Sequence, residues 1–271
     1  MKAIARLTVG TLALAGSALQ AQTIVTPGNL NGWILYDGAS GTSPAAITAA
    51  QPFNGNGSLQ YNVNASNQQP SAAFVFANPV ALSQLQNLSL GYSFLTPAGS
   101  TPAASPTIRL LLTGLSGVTQ PGTRTDGSLG WYLNGSSNAW QTQSFSAAVG
   151  DFFFRVGGVG QEALDCKSTG SSFDDRRQTI GAWLSACNGT GGAANLVNAF
   201  VVGVQVDWGT FANQGPATGY ADMVNFSIGP NEGNYNFEVS SNVVPEPASM
   251  SLLGLGLVGV GAMARKRKQQ A

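Results

Sequence analysis

Between residues 22 and 243 the apolar positions come in short runs broken by Gly, Pro, Asn and Ser, the rhythm of strands joined by turns. The pattern predicts strands over Trp33–Tyr36, Ser58–Val63, Ala72–Phe76, Leu88–Leu95, Thr107–Thr113, Gly130–Asn134, Trp140–Phe145, Phe152–Val156, Phe200–Trp208, Met223–Ile228 and Tyr235–Val239. In the ninth of these, Val202, Val204, Val206 and Trp208 alternate with Val201, Gly203, Gln205 and Asp207, so one face is apolar and the other mixed. Many short strands with little helical periodicity predict an all-β body, an antiparallel β-sandwich of jelly-roll type. No fixed internal period points to a solenoid or propeller.

One stretch departs from this rhythm. Over residues 174–186, Ile180, Trp183 and Leu184 fall at helical spacing behind Asp174 and Asp175, which suit a helix N-terminus, and a short helix in a long insertion is expected. Cys166 and Cys187, the two cysteines of the chain, bracket it. In an exported protein such a pair is most simply a disulfide, closing a loop of about 20 residues that contributes on the order of 3 kcal/mol. The alternative, a reactive thiol or metal pair, lacks the histidine or further cysteines it would need.

The ends follow other patterns. Residues 1–21 carry two cations, Lys2 and Arg6, then an uncharged apolar run from Leu7 to Leu19 and small residues before a cut after Ala21, the order of a cleaved secretory leader. That run is short of the roughly 20 residues a spanning helix needs. Residues 244–271 form a three-part tail. Val244-Pro245-Glu246-Pro247 is stiff and non-helical, because each proline disfavours the α region for the residue before it. Ala248 to Ala264 is an uncharged segment at the short end of spanning length, a C-terminal transmembrane helix. Arg265, Lys266, Arg267 and Lys268 then hold that end in the cytoplasm by the positive-inside rule. Physically the tail is a stop-transfer anchor with an extended peptide displayed just outside the membrane. The domain plan is thus a signal peptide (1–21), a β-sandwich ectodomain (22–243) and the tail (motif 244–247, helix 248–264, basic end 265–268).

Charge sharpens the picture. With the ends removed, six basic residues face eleven acidic ones, a net charge of −5, which argues against nucleic acid. The 271 residues contain no histidine, so Ser-His-Asp and Cys-His nucleophiles, His-ligated zinc and imidazole relays are all excluded.

The tail closely resembles the PEP-CTERM sorting signal of Gram-negative bacteria that make extracellular polysaccharide, in which a Pro-Glu-Pro motif precedes a Gly- and Leu-rich helix and an Arg-rich end; here the end is richer in Lys. The resemblance implies that an exosortase, a membrane-embedded cysteine transpeptidase, recognises Pro245, Glu246 and Pro247 and removes the helix. With signal peptidase as the other processing enzyme, the chain would pass transiently through the inner membrane to the cell surface or extracellular matrix. That implies an envelope or matrix protein associated with exopolysaccharide or biofilm.

The body resembles lectin-like and carbohydrate-binding jelly rolls at Gly32-Trp33, Gly57-Ser58-Leu59 and Tyr220-Ala221-Asp222-Met223-Val224. Sugar rings stack on exposed aromatic planes while amides and carboxylates bond their hydroxyls. The candidate glycan-binding residues are Trp131, Tyr132, Asp207, Trp208 and Tyr220, near Trp140, Asn134, Gln141, Gln143 and Gln205. The competing reading is that these aromatics fill the core, as a sandwich interior requires. Some such folds hold a structural calcium, for which Asp37 and Asp222 are the conceivable ligands; no other cofactor is expected. A glycosidase would need two carboxylates across the scissile bond. Glu162, Glu232, Glu238 and the eight Asp of the body include no Glu-x-Asp-x-Glu strand, and the adjacent Asp174 and Asp175 diverge on a helix, so no enzyme is expected. Low charge, 35 glycines and many Asn, Gln, Ser and Thr equally suit a displayed component of a polysaccharide layer.

Overall fold

The computed structural model describes residues 21–38, 43–65, 68–85, 87–100, 104–115, 127–133, 135, 137–148, 152–156, 177–188, 195–208 and 216–240. The leader up to residue 20, the tail from 244 onward, Cys166, Asp174, Asp175 and Asn134 lie outside them.

Among the described residues thirteen strands build two sheets. The first strands are β1 (Thr23–Val25), β2 (Trp33–Asp37), β3 (Ala46–Thr48), β4 (Ser58–Val63), β5 (Pro70–Ala81) and β6 (Ser89–Leu95). There follow β7 (Thr107–Thr113), β8 (Gly127–Trp131), β9 (Gln141–Ser146) and β10 (Phe153–Val156). A short helix α1 (Ile180–Ala186) precedes β11 (Phe200–Asp207), β12 (Ala217–Ile228) and β13 (Asn231–Phe237). One sheet has six strands in the order β10-β8-β7-β11-β5-β2. The other has seven. Its long strand β12 pairs with β6 along one edge, and β6 with β9; along the other edge β12 pairs with β4 at its start and β13 at its end, and β3 and β1 follow outside these. All pairs are antiparallel except β1 with β13, which run parallel over Thr23↔Tyr235 to Val25↔Phe237. The expected all-β sandwich is therefore present, with this one parallel pair added.

The core lies between the sheets, and period-two alternation places side chains there. β4 turns Leu59, Tyr61 and Val63 inward, β6 Leu90, Tyr92 and Phe94, β7 Ile108, Leu110 and Leu112, and β11 Val204, Val206 and then Trp208. Each fully buried side chain of this size stabilises the fold by about 1.5–3 kcal/mol relative to leaving it exposed. Rings fill both ends: Trp33 meets Tyr235 and Phe237 edge-on at 5.5 and 5.1 Å, and Trp131 meets Phe145 at 4.9 Å. Trp208 spans the layers. Its indole lies so close over Gly219 of β12 that a Cβ there would come within 1.9 Å of the ring, so glycine is required at that position.

Two irregularities shift the facing of strands. In β11 the register slips between Val201 and Gly203 against both neighbours. In β12 it slips between Asp222 and Asn225, where Met223 takes a left-handed φ of 51°. Ala217 and Ala221 before that bulge and Val224, Phe226 and Ile228 after it all reach the core, which an unbroken alternation would forbid.

The helix is shorter than expected, starting at Ile180 behind Thr179, whose Oγ1 caps it by accepting from the Ala182 N–H at 3.2 Å. Trp183 anchors it by donating Nε1–H to the Phe152 carbonyl at 2.6 Å. Cys187 ends it, wholly buried, and among the described residues no cysteine is free. Cys166, its expected disulfide partner, lies outside the described residues. Among the described residues no helix is long and apolar enough to cross a membrane; the segment expected to do so, 248–264, is not among them.

Candidate functional site

Alternation turns Tyr36 of β2, Ser71 of β5, Gln205 and Asp207 of β11, Arg109 of β7 and Ser128 of β8 onto the outer face of the six-stranded sheet, and registry puts them in adjacent rows: Tyr36↔Ser71↔Asp207 and Gln205↔Arg109. Asp207 Oδ2 accepts from Arg109 Nε at 2.7 Å, from Gln69 Nε2 at 3.1 Å and from Gln205 Nε2. Tyr36 donates its hydroxyl to Gln205 Oε1 at 2.8 Å, and Arg109 Nη1 donates to Ser128 Oγ at 3.4 Å. The ion pair is buried, with side-chain exposures of 4% and 0%, and two of its atoms, Asp207 Oδ1 and Arg109 Nη2, have no partner. Burying both charges costs several kcal/mol per ion unless pairing and hydrogen bonds offset it, which is the part the two glutamines play.

A ladder of cations and rings extends this cluster. Arg109 lies 5.2 Å over Phe153, Phe153 meets Tyr132 edge-on at 5.6 Å, and Arg177 lies 4.5 Å over Tyr132. Phe153 reaches its place across Gly130, where a Cβ would stand 2.6 Å from the ring. Chemically the cluster is a buried, charge-neutralised pair in which all three donors engage Asp207 Oδ2.

On the seven-stranded sheet a second acidic group has a different task. Asp222, buried at the β12 bulge, accepts from the backbone N–H of Met223 at 2.8 Å, Phe237 at 3.0 Å and Asn54 at 3.4 Å. Burial pushes its pKa up to about 7 against these amide donors, which pull it down, and the neighbouring Glu238 raises it further. Glu238, also buried, accepts from the Asn56 N–H and from Asn236 Nδ2. The two carboxylates thereby pin residues 54–57 across the sheet. Asn56 adds bonds to Ser240 Oγ and from the Val239 N–H at 3.1 Å each, and Asn54 Nδ2 approaches Met223 Sδ. Gly55 fits only as glycine, having a φ of +102° and the Glu238 carboxylate where a Cβ would be.

This pinned loop carries Phe53, 40% exposed, against Trp140 at a ring-centroid distance of 5.0 Å and an interplanar angle of 44°. Trp140 directly precedes β9, whose exposed Thr142 shares a hydrogen bond with Ser93 of β6 at 2.8 Å.

The residues singled out from sequence fall as follows. Trp208 is buried in the core with no open face, and Trp131, half-buried, packs against it on the rings of Tyr92, Phe94 and Phe145. Tyr132 is buried in the cation ladder. Asp207 is buried in the ion pair. Tyr220 is buried on the outer side of β12, its hydroxyl accepting from Gln60 Nε2 at 3.2 Å, and burial raises its pKa. The aromatics of the glycan-binding set are thus not brought to one surface. Asp37 and Asp222 belong to different sheets, and their oxygens meet backbone N–H groups: Ser43 and Gln69 for Asp37, and Met223, Phe237 and Asn54 for Asp222. Calcium asks instead for converging oxygens. Among the described residues no group of three or more acidic or cysteine ligands could hold a metal. Reading by sequence passed over Arg109, Gln69 and Phe53, and weighed Glu238 only as a glycosidase carboxylate. Only Arg109 left a signal, as a lone cation in the apolar strand TIRLLLT.

The tail is decided by a family comparison: the PEP-CTERM protein-sorting motif matches over residues 243–268. The chain carries a PEP-CTERM sorting motif. The PEP-CTERM match includes Pro245, Glu246, Pro247, the apolar segment and the four cations, and it marks an exported protein processed by exosortase. No curated protein matches the chain. Among solved structures, the chain is similar to the family 30 carbohydrate-binding module of a cellulosomal cellulase of Clostridium thermocellum (12% identity, 73% of this chain and 93% of that one, TM-score 0.37). It is also similar to an endo-β-1,4-glucuronan lyase of the fungus Trichoderma reesei (10% identity, 76% and 94%, TM-score 0.42) and to an exo-β-agarase (12% identity, 74% and 24%, TM-score 0.35). At such identities and scores nothing about this chain's ligands follows from them.

Proposed function

We propose that the chain is an exosortase-sorted envelope or extracellular-matrix protein, associated with exopolysaccharide or biofilm, whose β-sandwich is displayed rather than catalytic. The observation that carries this reading is the sorting motif at residues 243–268. Support comes from the secretory pattern of residues 1–21 and from the state of the acids in the body: Asp207 is neutralised by Arg109, while Asp222 and Glu238 hold a loop through its amides. The second reading, a carbohydrate-binding module, is favoured by one observation, the exposed Phe53 held beside Trp140.

Replacing Pro245, Glu246 and Pro247 together by Ala tests the first reading in cells that carry the exosortase. The variant should accumulate at full length in the inner-membrane fraction while the wild type is shortened and leaves it. Equal processing of the two proteins would refute sorting through this motif.

A further inference from the structure

A single exposed aromatic is ordinary on a protein surface; two rings held side by side at the surface by a fixed frame are a larger apolar patch and point to a ligand. Phe53 and Trp140 are such a pair. Two buried carboxylates, Asp222 and Glu238, are committed to the amides of Asn54 and Asn56, so the segment carrying Phe53 is fixed over the seven-stranded sheet instead of trailing in solvent. The Phe53 and Trp140 rings lie 5.0 Å apart and tilted by 44°, Phe53 exposed and Trp140 half-buried, so together they offer aromatic surface to solvent.

What surrounds the pair selects the ligand. Alternation from the core residues Phe94, Tyr92, Ala221 and Phe145 assigns Thr142, Ser144, Asn225 and Thr218 to the same outer face, where Thr142 and Ser144 are exposed and Asn225 and Thr218 half-buried, a surface of hydroxyls and amides. No described Lys or Arg belongs to this sheet: Arg109 and Arg155 are on strands of the other sheet, and Arg177 stacks on Tyr132, which follows β8 of that sheet. With no cation among its described residues, this face offers little to a carboxylated or sulfated chain, and its aromatic planes with neutral donors and acceptors fit the C–H faces and hydroxyls of a pyranose.

We propose that Phe53 and Trp140 form a stacking platform for a neutral polysaccharide on the outer face of the seven-stranded sheet. This rests on the carbohydrate-binding reading above, and it is independent of tail processing because its test uses purified protein.

The test is affinity electrophoresis of the full chain, purified in detergent, through native gels containing hydroxyethyl cellulose, galactomannan or dextran, with alginate as the anionic comparison. The wild type should be retarded by at least one neutral polymer and not by alginate. Phe53→Ala should weaken that retardation about tenfold, as truncating a central aromatic contact does, with unchanged thermal unfolding. Trp140→Phe, which keeps a ring, should retain most of the binding, and Trp140→Ala should lose it. Val75→Ala, altering a 55% exposed apolar residue of the other sheet, should leave retardation as it was. Failure of all three neutral polymers to retard the wild type would overturn the proposal. So would retardation by alginate alone, persistence of binding in Phe53→Ala, or an equal loss in Val75→Ala. If Trp140→Ala does not fold, Phe53→Ala still decides, since Phe53 is a surface residue of a loop pinned by its neighbours.

Discussion

Asp222 should make the sandwich less stable as pH rises, and replacing it by Asn should remove that contribution to the pH dependence. The Asp222 pKa is about 7 in the fold, while an unfolded aspartate sits near the ordinary 3.8. Between these two values the native state holds the proton more often than the unfolded state does, so unfolding free energy falls with increasing pH across that window. At about 1.4 kcal/mol per pH unit the whole window is worth roughly 4 kcal/mol, lost on going from pH 4 to above pH 7. Asn at 222 keeps an Oδ1 for the Met223 and Phe237 amides but turns an NH2 toward the Asn54 N–H, leaving donors facing each other at a cost of about 1–3 kcal/mol. The variant is therefore expected to be less stable than the wild type at pH 4 and more stable at pH 8, the curves crossing between about pH 4.5 and 6. Urea unfolding at four or five pH values, followed by tryptophan fluorescence, reads this directly. Taking variant minus wild type cancels the other carboxylates. Parallel curves with no crossing would mean that the Asp222 carboxyl is not held protonated by its burial, and the argument would fail.

The buried ion pair and the cysteines make two further claims. Arg109→Met strands a buried Asp207 and should cost about 3–5 kcal/mol, part of which returns when Asp207→Asn is added; a loss below 1 kcal/mol in urea unfolding would contradict the account of that cluster. Cys166 and Cys187 should be oxidised to each other in the exported protein, so alkylation should add two caps by intact mass only after reduction, and labelling of the unreduced protein would refute the pairing.

Strands with a clean two-residue period were legible in sequence. Ser58–Val63 and Thr107–Thr113 are found with the bounds expected, because inward Leu59, Tyr61 and Val63, or Ile108, Leu110 and Leu112, declare the buried face by themselves. β1 and β3 were not anticipated: three residues are too few to show an alternation, and each is held by its neighbour, β13 or β4. The start of β12 was missed for a related reason. Its Ala217, Gly219 and Ala221 are small because Trp208 lies over Gly219, a contact between sheets that no local pattern announces.

The sorting motif is legible from the chain alone, because paired prolines, an uncharged segment and a cluster of cations in that order are a local pattern that needs no tertiary contact. The all-β class is legible for the same reason, being a matter of period. Which aromatic faces solvent is not. Trp131, Trp208 and Tyr132 were credible sugar platforms on composition, yet the phase of each strand turns the first two inward and the ladder with Arg177 covers the third. Phe53, in a loop with no period, is lifted into solvent by carboxylates nearly 170 and more than 180 residues away. Sequence fixes what each side chain can do, but exposure and the company of charges are properties of surfaces brought together by folding, and those only the packed sheets decide.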